Sequence, residues 1–221
     1  VLSIQDTSEI NYQNLVGKLK ANDRNIGLVG NNTDAGFFLH PNLVVDTAEM
    51  FPIGFSSIIL WNRAWDKSDK NECDYKNLPI QEKESFRWIS SAATSKEVLR
   101  EAAHITVIGD RESDIYEELV YVPDQKTDLL IRSSVNRNLY GGGKLFETLS
   151  KSMLQAVYKI EIKGNKKRKD RIAEMQLRYE RIKIARPTNL SKKELPEFIE
   201  LWAVEAREQS ESVPEGEEEI L

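Results

Sequence analysis

The chain has 221 residues, of which 40% are hydrophobic and 30% charged, a balance that suits a folded domain with a real core and excludes a disordered or collagen-like chain. No apolar run approaches the roughly 20 residues that span a bilayer, and the single cysteine, Cys73, excludes an internal disulfide and a cysteine zinc site. The net charge of −5 argues against simple non-specific affinity for nucleic acid. The charge is nevertheless segregated. Tyr158 to Arg186 holds eleven Lys and Arg against four Asp and Glu, and Glu194 to Glu219 holds ten Glu against one Arg. An acidic chain can therefore still present a basic face.

The chain opens on Val1 rather than Met, in the strand-like run VLSIQD, with no signal-peptide pattern. It is therefore expected to be a piece of a longer cytoplasmic protein. A polar stretch up to Gly36 follows, with Asn31, Asn32 and Asp34 as turn residues. Phe37 to Val45 predicts a second strand interrupted at Pro41, Pro52-Ile53-Gly54 a turn, and Phe55 to Trp61 a third strand. Together these suggest an antiparallel meander. Residues 66–80 read as loop. Residues 82–102 read as an amphipathic helix, with Phe86, Trp88, Ile89, Ala92, Ala93 and Leu99 at helical spacing. Trp61, Trp65, Trp88 and Trp202 lie in apolar runs and are expected in the core.

Residues 104–119, HITVIGDRESDIYEEL, organise the rest. Ile105 to Ile108 reads as a buried strand, Gly109 lets the chain turn, and Asp110, Arg111, Glu112 and Asp114 gather at its carboxyl end. Ligands bind at such strand ends in open α/β sheets. Beyond Asp124 the pattern becomes β-rich. Leu129 to Ile131 reads as a short strand, Gly141 to Gly143 as a flexible loop, Lys144 to Lys151 as a short helix, and Val157 to Lys163, Ala173 to Ile184 and Phe198 to Ala206 as alternating strands.

Gly109, Asp110 and Asp114 fit the GDxxxD pattern of haloacid-dehalogenase-like phosphatases, but the upstream DxD nucleophile motif of those enzymes is absent. The turn Asp110-Arg111-Glu112-Ser113-Asp114-Ile115 more closely resembles the DREADI-like turn of the DDE transposases of bacterial insertion sequences, the cut-and-paste type with a β-rich insertion. Ile4-Gln5-Asp6-Thr7-Ser8 resembles their EDTT-like first segment, with Gln5 replacing the acid and Ser8 the second Thr. The strand around Phe37-Phe38-Leu39-His40 and the Ala92-Ala93-Thr94-Ser95 helix end add to the resemblance.

The resemblance implies a ribonuclease-H-like mixed α/β sheet with flanking helices over residues 1–124 and a β-rich insertion over 125–221. It implies metal-dependent hydrolysis and strand transfer of phosphodiesters at transposon ends, with Asp6 and Asp110 as catalytic and metal-binding residues for Mg²⁺, or Mn²⁺ as a substitute. Magnesium favours such hard oxygen ligands. The third carboxylate, expected on a later helix in a Tyr-Arg-Glu-Lys pattern, is not found, so the chain is expected to stop short of it and to be inactive alone. DNA contacts are expected from Arg111, from Arg132, Ser133, Asn136 and Arg137, which resemble a VRSKxxR segment with Ser134 in place of its lysine, and from the basic run Lys166, Lys167, Arg168 and Lys169. The expected partner is transposon-end DNA, with dimerisation of the full-length DNA-bound protein and no membrane association. A regulatory DNA-binding module without cleavage activity is the alternative, and a dehalogenase-type phosphatase a third reading. His40 is expected to support the site rather than act in catalysis.

Overall fold

A computed structural model describes residues 1–18, 25–30, 33–65, 78–164, 169–190, 194–217 and 219–220. Asn31, Asn32, most of the 66–80 loop including Cys73, and Lys166, Lys167 and Arg168 lie outside the described residues. The chain divides into two compact units, Val1–Ser134 with Thr188–Ser191, and Val135–Pro187 with Lys192–Leu221. The division falls ten residues beyond the boundary expected at 124, because the strand at 127–131 pairs into the sheet of the first unit.

The first unit is an α/β fold around a seven-stranded mixed sheet. Its strands are β1 (Leu2–Gln5), β2 (Ser8–Asn11), β3 (Gly27–Val29), β4 (Asp34–Asp46), β5 (Phe51–Trp61), β6 (Ile105–Gly109) and β7 (Thr127–Ile131), with helices α1 (Phe86–Val98) and α2 (Tyr116–Tyr121). Strand β4 is the spine. One edge pairs antiparallel with β1 and β2, while the other pairs with β5 and β3. β6 lies parallel to β1, and β7 parallel to β6. The parallel steps follow helical connections, as parallel pairing requires.

Two expectations are corrected here. Pro41 does not break the second strand. β4 runs through it with Pro41 in register opposite Ile58, and the register shifts against β5 come only after it, at Asn42/Leu43 and Val44/Val45. Pro52-Ile53-Gly54 is not a turn but part of β5, and the chain reverses earlier, where Met50 takes a positive φ of 52°. The short strands β2 and β3 fall in the stretch read as polar loop, because backbone pairing with the long β4 supplies what their side chains do not.

The two faces of this sheet differ. α1 covers Ser3, Gln5, His40, Asn42, Val44 and Val107, all buried. On the opposite face the registered row Leu130, Ile108, Ile4, Leu43 and Phe55 is apolar but open, with Phe55, Ile58, Leu60 and Leu130 all exposed. The α1 stripe also departs from the expected one. Trp88, Ile89, Ser91, Ala92 and Ser95 are buried, whereas Ala93 is exposed. Ser91 and Ser95 carry the helical spacing without the hydrophobic signal, because they meet polar partners on the sheet.

The second unit contains α3 (Leu145–Lys151) and an antiparallel sheet in the order β10-β9-β8, formed by β8 (Leu154–Ile162), β9 (Arg171–Ala185) and β10 (Phe198–Glu208). Ile162, Ala173 and Met175 form its cluster on one face, and Leu145, Leu149, Ile182 and Ile184 are also buried. Trp88 is fully buried, as expected, but Trp202 is 62% exposed and Trp65 46% exposed. Trp202 sits on the outward row of β10, opposite Arg181 and edge-on to Tyr179, because alternation sends every second residue of an apolar run to solvent.

Gly109 ends β6 where no side chain fits. A Cβ there would overlap the Ser113 Oγ and Cβ and approach the Trp88 ring at 3.6 Å. Gly109→Ala is therefore expected to destabilise the first unit by about 1–3 kcal/mol, the range for overpacking a tight site. Urea unfolding checks this, and a midpoint equal to the parent's would show that Ser113 can yield.

Candidate functional site

Asp6 and Asp110 each follow a strand that ends in the middle of the sheet. The parallel register pairs Leu2 with Thr106 and Ile4 with Ile108. Two further steps bring Asp6 opposite Asp110. Strand alternation places both on the face that α1 leaves open. Each carboxylate is seated by a backbone amide close after it. Thr7 N–H donates to Asp6 Oδ1 at 2.7 Å, and Glu112 N–H donates to Asp110 Oδ1 at 2.9 Å. Asp110 thereby caps the short 3-10 turn Arg111–Ser113, a usual use of aspartate at a helix start. The second oxygen of each carboxylate accepts no hydrogen bond from the described residues, and both residues are exposed.

A polar layer on the α1 side supports this pair. His40 is fully buried. Its Nδ1 lies 2.9 Å from Thr7 Oγ1, its Nε2 lies 3.3 Å from Gln5 Oε1, and its ring meets Trp88 edge-on at 4.6 Å. Arg87 Nε donates to the same Thr7 Oγ1 at 3.0 Å. Burial, reinforced by the Arg87 charge, lowers the His40 pKa to about 4, against the opposing pull of Asp110 and the Asp6 backbone. The imidazole is therefore neutral at neutral pH. Gln5, buried beside the ring, is an uncharged member of this layer.

A second buried group lies on α2. Glu118 is fully buried and accepts the Ser113 hydroxyl hydrogen bond at 2.8 Å. Its other oxygen has no partner. Burial raises its pKa to about 8, with Asp114 adding to the rise and Ser113 and Arg87 opposing it. Glu118 is thus a neutral acid at pH 7. It was not among the residues singled out from sequence. Glu117-Glu118 at the start of a helix reads as a solvated acidic turn, and only tertiary packing reveals otherwise.

The residues expected to touch DNA divide differently. Arg111 is exposed, and its side chain makes no hydrogen bond or ion pair among the described residues: Glu112 is paired with Arg87, and Asp114 accepts from the Ser134 amide. Ser133 directs its hydroxyl to Asp114 at 3.4 Å. Asn136 is committed to α3 of the second unit. Its amide nitrogen donates to both Glu147 oxygens at 3.1 Å, and its oxygen accepts from Phe146 N–H at 3.0 Å. Arg132 and Arg137 already have partners. Lys169 stands exposed at the foot of the β8–β9 hairpin.

The acidic pair offers hard oxygen donors of the kind a divalent cation takes. Among the described residues no group of three or more His, Cys, Asp or Glu is arranged to hold a metal. No protein-family model matches the chain.

The two buried groups impose opposite pH dependences on stability. Glu118, raised in the folded state, stabilises fully below about 4.5 and loses that contribution as pH rises to about 8. His40, lowered in the folded state, contributes above about 6.5 and loses its contribution as pH falls to about 4. Each slope is about 1.4 kcal/mol per pH unit. They cancel between these limits, and Glu118 alone acts above. Stability is therefore expected to be level from about pH 4.5 to 6.5 and to fall from there to about 8. In Glu118→Gln the decline should vanish, leaving a profile that rises to about pH 6.5 and then stays level. Thermal unfolding across pH tests this, and parallel profiles for parent and variant would refute it.

Proposed function

We propose that the first unit is the opening part of a ribonuclease-H-like catalytic core of a DDE transposase, and that the second unit is its β-rich insertion. The activity this implies is hydrolysis and strand transfer of phosphodiesters at transposon ends, which the 221 residues by themselves are expected not to perform. The observation that carries this reading is the placement of Asp6 and Asp110 at neighbouring ends of the parallel pair β1 and β6, each with one oxygen held by a backbone amide. The spatial order β5-β4-β1-β6-β7, antiparallel across the first three strands and parallel across the rest, supports the ribonuclease-H-like assignment.

In this reading Asp6 and Asp110 hold Mg²⁺, or Mn²⁺ in its place. When bound, such a cation would supply Lewis-acid activation of the attacking and leaving oxygens. The chain itself provides the seat. Thr7 and Glu112 amides orient the carboxylates, while neutral His40 and neutral Glu118 add no competing charge behind them.

The second reading is a DNA-binding transposase-derived module that does not cut. DNA binding by either module is expected to draw on Arg111 and on the run Lys166, Lys167, Arg168 and Lys169.

Three outcomes are expected. Mn²⁺ titration of the 221-residue chain should show binding that weakens at least about ten-fold in Asp6→Asn and in Asp110→Asn. Binding indifferent to both substitutions would remove the metal site and with it the enzymatic reading. Labelled duplex DNA incubated with the chain and Mg²⁺ or Mn²⁺ should stay intact, since two-metal chemistry needs both ions fixed at once. Cutting that Asp110→Ala abolishes would place a third ligand within this chain. DNA affinity should fall with added salt, and replacing Lys166, Lys167, Arg168 and Lys169 by alanine should reduce the slope of log K against log salt by about 0.9 for each phosphate no longer neutralised. An unchanged slope would mark that run as a solvated turn.

A further inference from the structure

We propose that Arg87 is the positioning residue that locks the two aspartate turns into a single unit, an inference that rests on the cation-site reading above. Arg87 projects from the first turn of α1 and is only 13% exposed. Its Nε donates to Thr7 Oγ1 at 3.0 Å, its Nη2 to Glu112 Oε2 at 2.6 Å, and its Nη1 to the Glu84 carbonyl at 3.0 Å. The guanidinium lies 5.1 Å from the Trp61 ring centroid and 5.4 Å from that of Trp88.

The two side chains that Arg87 grips belong to the two residues whose backbone amides seat the carboxylates. Thr7 N–H holds Asp6 and Glu112 N–H holds Asp110. One planar fork therefore fixes both turns from the α1 side, while the carboxylates belong to the opposite face of the sheet. The Thr7 hydroxyl, receiving from Arg87 and bonded to His40 Nδ1, has no rotational freedom left. Arginine is suited to this task because its donors diverge in a fixed plane, whereas a lysine ammonium is a single point on a flexible stem. Glu112 pairs with the Arg87 charge, so the clamp adds little net repulsion toward a cation held by Asp6 and Asp110.

The sign of the effect separates positioning from simple electrostatics. Removing a positive charge beside a cation site should, by Coulomb's law alone, tighten cation binding. Removing a group that orients metal ligands should loosen it, by about 10–100-fold. The experiment follows Mn²⁺ binding and NMR amide exchange of residues 7 and 112 in the parent chain, Arg87→Gln, Arg87→Lys, Thr7→Val and Asp110→Asn. Arg87→Gln should weaken Mn²⁺ binding at least about ten-fold and speed exchange at both amides together. Arg87→Lys, which keeps the charge, should do the same, and Thr7→Val should speed exchange at residue 7 alone. If Arg87→Gln binds Mn²⁺ as tightly as the parent or more tightly, or if both amides stay protected, the inference is overturned while the site reading stands. If parent binding is indifferent to Asp110→Asn, the site reading itself fails, and the clamp then serves only to hold the two turns.

Discussion

The first unit depends on a polar layer buried between α1 and the sheet. Ser3 donates to Asn42 Oδ1 at 2.7 Å, Asn42 donates to Ser95 Oγ at 2.7 Å, and the Ser56 and Ser95 hydroxyls meet at 2.8 Å. All four residues are buried. A buried polar group that loses its partner costs about 1–3 kcal/mol, so α1 is held to the one placement in which these groups meet. Apolar packing alone tolerates a slide, but a directional network does not. The layer continues through His40 and Gln5 to Thr7 and Arg87, and so connects the seating of the helix to the geometry of the aspartate turns.

Charge is arranged around this layer with the same economy. The fully buried members are neutral: His40 because burial outweighs its neighbours, and Glu118 because the same burial keeps its proton in place. Arg87, the cation nearest to both, is paired with Glu112. The free carboxylate oxygens are left to Asp6 and Asp110 at the exposed strand ends. Gly109 completes the arrangement by letting the Ser113 side chain lie directly against the strand, where it reaches Glu118.

The second unit solves a different problem. Its three-stranded sheet has a small apolar cluster and adds a buried ion pair between Arg171 and Glu208, with Glu217 reaching Arg171 at 3.1 Å and Ser212 reaching Glu208 at 3.1 Å. The Arg171 guanidinium holds the Glu208 carboxyl below its ordinary range. Breaking such a pair from one side leaves a charge buried alone, so the pair fixes the register of β9 against β10. Outward residues of the same strands, among them Trp202 and Tyr179, remain exposed.

Sequence alone determined much of this protein. The apolar run Ile105–Ile108 with its glycine stop, the alternation along β8, β9 and β10, and the separation of basic and acidic stretches are local features, and local patterns state them directly. Asp110 was marked by its position at a strand end, and Asp6 by the resemblance of Ile4-Gln5-Asp6-Thr7-Ser8 to an EDTT-like segment. What the sequence could not state was set by distant partners. β2, β3 and the unbroken β4 exist because neighbouring strands supply backbone hydrogen bonds that no side-chain pattern announces. The buried face of α1 includes Ser91 and Ser95, whose polarity hides the helical stripe until Asn42 and Ser56 lie against it. Glu118 and Arg87 look like surface charges on their own helices. Only the folded chain, by burying one beside Ser113 and spanning two turns with the other, gives them roles that hydrophobicity and spacing cannot encode.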